Sequence, residues 1–240
     1  MTAPRLLTLD IETSPHEGYF WRLFDENISL TQLKRPSRIL SVGRHWLGDP
    51  LSEVRYDDVW PYTSDRRRNI LLRRVHADMS KADGIITFNG ARFDLPKLNG
   101  EFLLAGLEPL PPISHIDVFL TTRKLGYASN RLEYVAPLLG CGKKVKSSFE
   151  LWRGYVEGDE ASRDKMRRYN IRDVRVLERV FNKVRPYIKP FPRLHDRPSC
   201  PSCGSSAVHR HGFRRTEFFK IERHQCQACS KWFDGVKSKA

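Results

Sequence analysis

Apolar and polar positions alternate between two periods over most of the chain. Arg5–Glu12 (RLLTLDIE) is an apolar run that ends in acids, the pattern of a buried strand. Ile39–Leu47 and Ser52–Trp60 read as two further strands, with Gly48-Asp49-Pro50 as the turn between them. From Asp65 to Ala82 the period lengthens, and Ile70, Leu71, Val75 and Met79 form one helical stripe. Gly84–Phe88 predicts a short strand, Ala91–Leu107 a helix loosened at Gly106, and Ile113–Leu120 another strand; helical patterning then dominates to Val184. The order β-β-β-α-β-α-β-α is a mixed α/β layout. Residues 14–37 are longer than a hairpin needs. Tyr19, Phe20, Trp21 and Phe24 are expected to pack this insertion onto the core, with stacking on unpaired bases as the alternative.

The pattern breaks near the end. Pro186, Pro190, Pro192 and Pro198 fall within thirteen residues and read as a stiff linker. This divides the chain into an α/β domain over residues 1–188, a Pro-rich linker over 189–198 and a small Cys-bearing unit over 199–240. Charge adds a functional hint. The chain holds 42 Lys+Arg against 28 Asp+Glu, net +14, and residues 191–240 alone carry 10 against 4. Such an excess draws polyanions, nucleic acid foremost. No apolar run reaches the roughly 18 residues of a membrane span, so no membrane partner is expected. The first apolar stretch is interrupted by Asp10 and Glu12, which does not suit a secretory signal, and five clustered Cys suit a reducing, cytoplasmic compartment.

The acids carry the candidate chemistry. Asp10 and Glu12 lie two apart on a strand and share a face, where they repel each other unless a cation sits between them. Paired carboxylate oxygens suit Mg²⁺ or Mn²⁺. Asp94 follows Asn89-Gly90-Ala91-Arg92-Phe93 at a helix start, where an acid is also favoured by the helix dipole. Tyr169 and Asp173, at i and i+4, project from one face of a late helix. Asp117 reads as a plain strand-end acid, with a helper acid near the site as the alternative.

Taken in order, Asp10-Ile-Glu12, Asn89-x-x-x-Phe93-Asp94 and Tyr169-x-x-x-Asp173 resemble the DEDDy branch of the DEDD exonucleases. The stretch Phe88–Pro96 is similar to that of the proofreading domains of family B DNA polymerases. The resemblance spans residues 5–185. It implies an RNase H-like mixed five-stranded sheet flanked by helices and 3′→5′ exonucleolysis by two divalent ions roughly 3.5–4 Å apart. In that frame Asp10 bridges both ions, Glu12 and Asp173 complete the site of the ion that binds the attacking water, Asp94 acts through water on the other ion, and Tyr169 orients the attacking water. Asn89 and Phe93 contact the terminal nucleotide. Single-stranded DNA or DNA 3′ ends are the expected substrate. An RNase H-like endonuclease or transposase-type nuclease, and a non-catalytic nucleic-acid-binding protein, are the rival functions.

Cys200-x-x-Cys203 and Cys226-x-x-Cys229 read as a four-cysteine site for one structural Zn²⁺. A unit of this size cannot fold on its core alone, so the metal must supply stability. Phe218–Ile221 and Trp232-Phe233 supply strand-like residues, and His209, His211 and His224 are possible replacement ligands. Cys141 reads as a core or loop thiol. The tail resembles zinc ribbons of transposase-associated proteins, with Ser230 where those usually carry Gly. Its charge suggests phosphate contacts; docking to replication or repair proteins is the alternative.

Overall fold

The computed structural model describes residues 4–143, 145, 147–195 and 198–239. Its larger sheet contains β1 (Leu6–Thr13), β4 (Ile39–Trp46), β5 (Arg55–Asp58), β6 (Gly84–Thr87) and β7 (Ser114–Asp117), in the order β5-β4-β1-β6-β7. β1 is central, antiparallel to β4 and parallel to β6. β5 extends the sheet antiparallel to β4, and β7 extends it parallel to β6. This is the mixed five-stranded, RNase H-like sheet expected from the sequence.

Period 2 along β1 sorts its side chains between two layers. Leu7, Leu9 and Ile11 pack with Leu71, Leu72, Val75 and Phe102 of α1 (Asp65–Met79) and α2 (Asp94–Leu104). On the opposite face Leu6 packs with Val176, Leu177 and Phe181 of α6 (Glu160–Val184). Asp10 and Glu12 therefore share the α6 face. Between these elements lie α3 (Val118–Thr122), α4 (Leu132–Leu138) and α5 (Phe149–Glu157). Asp159 starts α6 by accepting the amides of Ala161 and Ser162. The buried stripe of α6 is apolar near its ends but carries Asn170, Asp173 and Glu178 in the middle, where it crosses β1 and β4.

Four expectations about element bounds and faces change. Ile70 stays 37% exposed while Leu72 is buried, so the core stripe of α1 runs through Leu71, Leu72, Val75 and Met79. Ser52–Trp60 is not one strand: Leu51–Glu53 forms a turn of 3₁₀-helix and only Arg55–Asp58 pairs with β4. α2 begins at Asp94 because Ala91 and the residues after it complete a turn. Residues 118–120 are helical because the Asp117 carboxylate accepts the Phe119 amide at 3.1 Å and caps α3.

The insertion over 14–37 does not pack onto the core. It forms the small hairpin β2 (Glu17–Gly18) and β3 (Leu33–Arg35), leaving Trp21 93% and Phe24 81% exposed. Polar bonds close it instead. Glu26 accepts the amides of Trp21 and Arg22 at 2.8 and 2.6 Å, and Gln32 donates to Glu26 at 2.9 Å.

The C-terminal region is an antiparallel sheet of β8 (Val208–Arg215), β9 (Phe219–Cys226) and β10 (Trp232–Lys239), with β9 in the middle. It is joined to the end of α6 through polar contacts. Arg185 Nε donates to Ser202 Oγ at 2.7 Å, its Nη2 donates to the Ser202 carbonyl, and Lys231 Nζ donates to the Ile188 carbonyl. Phe191 and Leu194 of the connecting segment pack against the α6-side core. Among the described residues no helix is long and apolar enough to cross a membrane.

Candidate active site

The sheet and α6 bring Asp10, Glu12 and Asp173 together: one carboxylate oxygen of each lies within 4.8 Å of the others. Asp10 and Glu12 reach this point from adjacent same-face positions of β1, and Asp173 from the helix above. Three carboxylates this close, with Asp173 only 1% exposed, repel one another, and a cation among them would offset that repulsion. The donors are hard oxygens, so the set fits Mg²⁺ or Mn²⁺.

Asp10 is held by a residue that sequence reasoning did not assign. Asn170 Nδ2 donates to Asp10 Oδ2 at 2.7 Å and to the Asp10 carbonyl at 3.2 Å. The amide is fully buried, and its own oxygen accepts from Ser41 Oγ at 3.5 Å. This approach requires Gly43, the cross-strand partner of Asp10 on β4. A Cβ there would lie 2.8 Å from Val174 Cγ2 and 3.0 Å from Asn170 Oδ1. The available signal was an amide inside an otherwise buried helical stripe, directly after Tyr169.

Trp152 was also missed. Its Nε1 donates to Glu12 Oε2 at 3.1 Å, and its ring meets Tyr169 edge-on with centroids 5.7 Å apart. α5 thus touches two members of the site through one side chain. Tyr169, 8% exposed, sits one helical turn before Asp173 in a cluster with Leu40, Leu151 and Met166.

Asp94 lies outside the three-carboxylate group. Its Oδ1 accepts the amide of Ile11, between the two strand acids, at 3.1 Å. Burial pushes its carboxyl up to about 7, with the nearby Asp117 adding to the rise while the amides of Ile11 and Asp94 itself oppose it. Asp117 is more than a plain strand end: it accepts the amides of Asn89 and Ala91 at 2.7 and 3.1 Å. It thereby holds the turn that leads to Asp94. Asn89 takes a left-handed φ of 66° in that turn, and a Cβ on Gly90 would lie 2.3 Å from Thr87 Oγ1.

Asn89 lines a groove of about 680 Å³ with Asp10, Phe88, Phe119, Asn130 and Arg131. Phe93 is not among its walls. It is the cap residue of α2 and is 46% exposed.

At the other end of the chain the four cysteine sulfurs lie within 4.8 Å of one another. Cys200–Cys229 and Cys203–Cys226 approach to 3.8 and 3.5 Å, and all four are free thiols. A tetrahedral Zn²⁺ with bonds of about 2.3 Å places its sulfurs about 3.8 Å apart, so the cluster fits a zinc ribbon. Burial and the surrounding thiols raise Cys229, whereas at Cys226 burial is outweighed by amide hydrogen bonds and neighbouring thiols that bring it to about 7. His209 and His211 bond each other at 3.0 Å, His224 bonds Glu222 at 3.1 Å, and none joins the sulfur group. Ser230 has φ of 59°, the left-handed conformation that Gly adopts most readily. Cys141 is a buried core thiol.

No curated protein matches the sequence. Among solved structures, the chain is similar to the family B DNA polymerase from the hyperthermophilic archaeon Pyrobaculum calidifontis, with a TM-score of 0.57 and 18% identity. The match covers 77% of this chain and 25% of that one, so the chain spans a quarter of the polymerase's length. The sequence pattern of the RNase_H superfamily matches residues 38–185, from the start of β4 to the end of α6. The match covers more than half of the 240 residues, and the mixed sheet agrees with it: the chain belongs to the RNase H superfamily.

Proposed function

We propose that this RNase H-family nuclease is a metal-dependent 3′→5′ exonuclease, acting on DNA 3′ ends. The observation that carries this reading is the convergence of Asp10, Glu12 and Asp173, with Tyr169 one turn from Asp173 on the same helix. Asp10, Glu12 and Asp173 would hold Mg²⁺ or Mn²⁺, which when bound stabilises developing charge on the phosphoryl and leaving oxygens. The chain supplies the positioning. Asn170 sets the Asp10 carboxylate, Trp152 steadies Glu12, and Asp94 fixes the β1 backbone between the two acids. Tyr169 orients the attacking water through its hydroxyl. The groove beside Asp10 receives the terminal nucleotide, with Asn89 on its wall, while Phe93 serves the incoming strand from the surface.

We further infer that residues 199–240 form a zinc ribbon carrying one structural Zn²⁺, linked through 189–198 to a nuclease domain over 1–188. Closed sulfur ligation leaves no open position for chemistry.

The test is degradation of 5′-end-labelled single- and double-stranded DNA and RNA with Mg²⁺ or Mn²⁺. A ladder shrinking stepwise from the 3′ end is expected. Internal cuts would favour an RNase H-like endonuclease, and intact but bound strands a non-catalytic binding protein.

A further inference from the structure

A second cleft, of about 590 Å³, lies where the connecting segment meets the C-terminal sheet. Lys189, Arg193, Arg223, Phe191, Trp232 and Phe233 are among its walls. Its acid, Asp234, is neutralised by Arg214, which contacts it at 2.5 and 3.1 Å. Lys231 is buried against the Ile188 carbonyl. Lys189, Arg193 and Arg223 are exposed cations of the cleft, and Arg223 also donates to the His211 carbonyl at 3.0 Å. Arg193 lies over the Phe233 ring at 5.9 Å, and Trp232 is 40% exposed.

An adjoining depression of about 720 Å³ shares Lys189 and Trp232 with this cleft and adds Tyr187, Thr121 and Lys124. Tyr187 is 64% exposed. Thr121 belongs to α3, whose Phe119 lines the groove beside Asp10. From Phe119 to Lys124 the chain runs through the rest of α3 and into a turn of 3₁₀-helix, a short advance of about 8 Å. Segment 119–124 thus borders both the Asp10 groove and this depression, and Tyr187 and Trp232 carry the surface on to the basic cleft.

We propose that this surface carries the body of a single-stranded nucleic acid whose 3′ end occupies the groove at Asp10. Phosphates lie against Lys124, Lys189, Arg193 and Arg223, and bases stack on Tyr187 and Trp232. Cations interleaved with exposed aromatic rings match the chemistry of a single strand, which offers both charge and unpaired ring faces. The segment 119–124, which borders both the Asp10 groove and this surface, favours a strand over an acidic peptide. The proposal rests on the exonuclease reading for its polarity, but the binding surface is testable without cleavage.

Binding is measured with the full chain in an Asp10→Asn background, using fluorescent oligothymidylates of about 4 and about 16 nucleotides, the span over which single-strand sites fill. The longer strand is expected to bind at least about tenfold tighter. Lys189→Glu with Arg223→Glu should remove most of that gain and reduce the salt slope by about 0.7 per lost contact. Trp232→Ala should remove part of the gain without changing the slope. The control Arg66→Glu with Arg73→Glu reverses the same charge on exposed positions of α1 and should keep the length dependence. Equal losses in the control, or no loss in the cleft variants, would overturn the proposal. Displacement of the longer strand's extra affinity by polyglutamate in the Asp10→Asn protein but not in the cleft variants made on it would assign the surface to acidic peptides instead.

A second measurement does not depend on variants folding. A 4-thiothymidine in the middle of the longer strand should photocrosslink to residues 187–193 or 223–233. Crosslinks confined to the exposed hairpin at 19–30 would reject the path. Absence of stepwise cleavage alongside the expected crosslinks would fail the exonuclease reading alone.

Discussion

Among the described residues, the two clusters of groups that could hold a metal ion are built in opposite ways. The sulfur cluster comes from a turn before β8 and the turn that joins β9 to β10, and each turn is complete in the sequence as C-x-x-C. The carboxylate cluster exists only once the whole larger sheet has formed and α6 lies across it. Asn170 and Asp10, which bond each other, are separated by 160 positions. A locally encoded centre should lose its own small sheet when its ligands are changed and leave the rest standing. A centre assembled by tertiary packing should lose its chemistry with little change in fold, because the packing is supplied by residues other than the ligands.

Removing one ligand from each centre is the strongest way to break this contrast. Asp10→Ala should lower cleavage about a thousandfold or more while leaving zinc content and melting temperature near wild type. Cys226→Ser should do the reverse: zinc is lost and hydrogen-exchange protection over β8–β10 collapses, since metal binding supplies the folding energy of such small units. Turnover of the larger domain should persist at saturating substrate. If Asp10→Ala released zinc, or Cys226→Ser abolished turnover in a folded core, the centres would not be independent.

Tyr169→Phe sharpens the distinction between holding a metal and orienting a water. It keeps the ring against Trp152 and deletes only the hydroxyl, so hydrolysis should slow by about a hundredfold. Mn²⁺ affinity, read by electron paramagnetic resonance of the free protein, should stay within about twofold. An affinity loss as large as that of Asp173→Ala would reassign the phenol.

The elements that local patterning dictates were legible from sequence. β1, β4, β6 and α1 follow from period and turn residues, and the Cys pairs and ordered acids follow from spacing. What escaped depends on bonds between distant segments. The apolar run Ile113–Leu120 continues through Asp117, and only the bonds from Asp117 to Asn89, Ala91 and Phe119 turn strand into helix there. Trp21 and Phe24 look like core residues by composition, yet Glu26 and Gln32 close their hairpin without burying them. Asn170 looks like a solvated helix residue until Gly43 is seen beneath it.

Asn170→Ala tests whether that amide serves the site. Groups that orient metal-binding carboxylates typically matter by 10–100-fold, so activity and Mn²⁺ affinity should both fall by about tenfold or somewhat more. The thermal midpoint should also drop, because Ser41 and Asp10 lose a buried partner. Gly43→Ala reaches the same amide from below. Its Cβ meets Val174 and Asn170, so about 1–3 kcal/mol of stability should be lost. Loss of stability in both variants with unchanged metal affinity would make Asn170 a packing residue only.

The smallest expected effect is the most discriminating one, because Trp152 makes two separable contacts. Trp152→Phe keeps an aromatic edge against Tyr169 but removes the N–H that reaches Glu12 at 3.1 Å. A hydrogen bond to a charged acceptor is worth about 1.5–3 kcal/mol when buried, and this one is partly open to water. Mn²⁺ binding should therefore weaken by only about three- to fivefold, and turnover at saturating metal should remain close to wild type. Trp152→Ala removes both contacts, so turnover should fall as well, through the loosened Tyr169 ring. The split between the two variants is the informative quantity. If Phe and Ala behave alike, the indole acts only by filling space between α5 and α6. If Phe alone lowers turnover without weakening metal binding, the N–H serves the strand rather than Glu12, and the carboxylate cluster is held by β1 and α6 without help from α5.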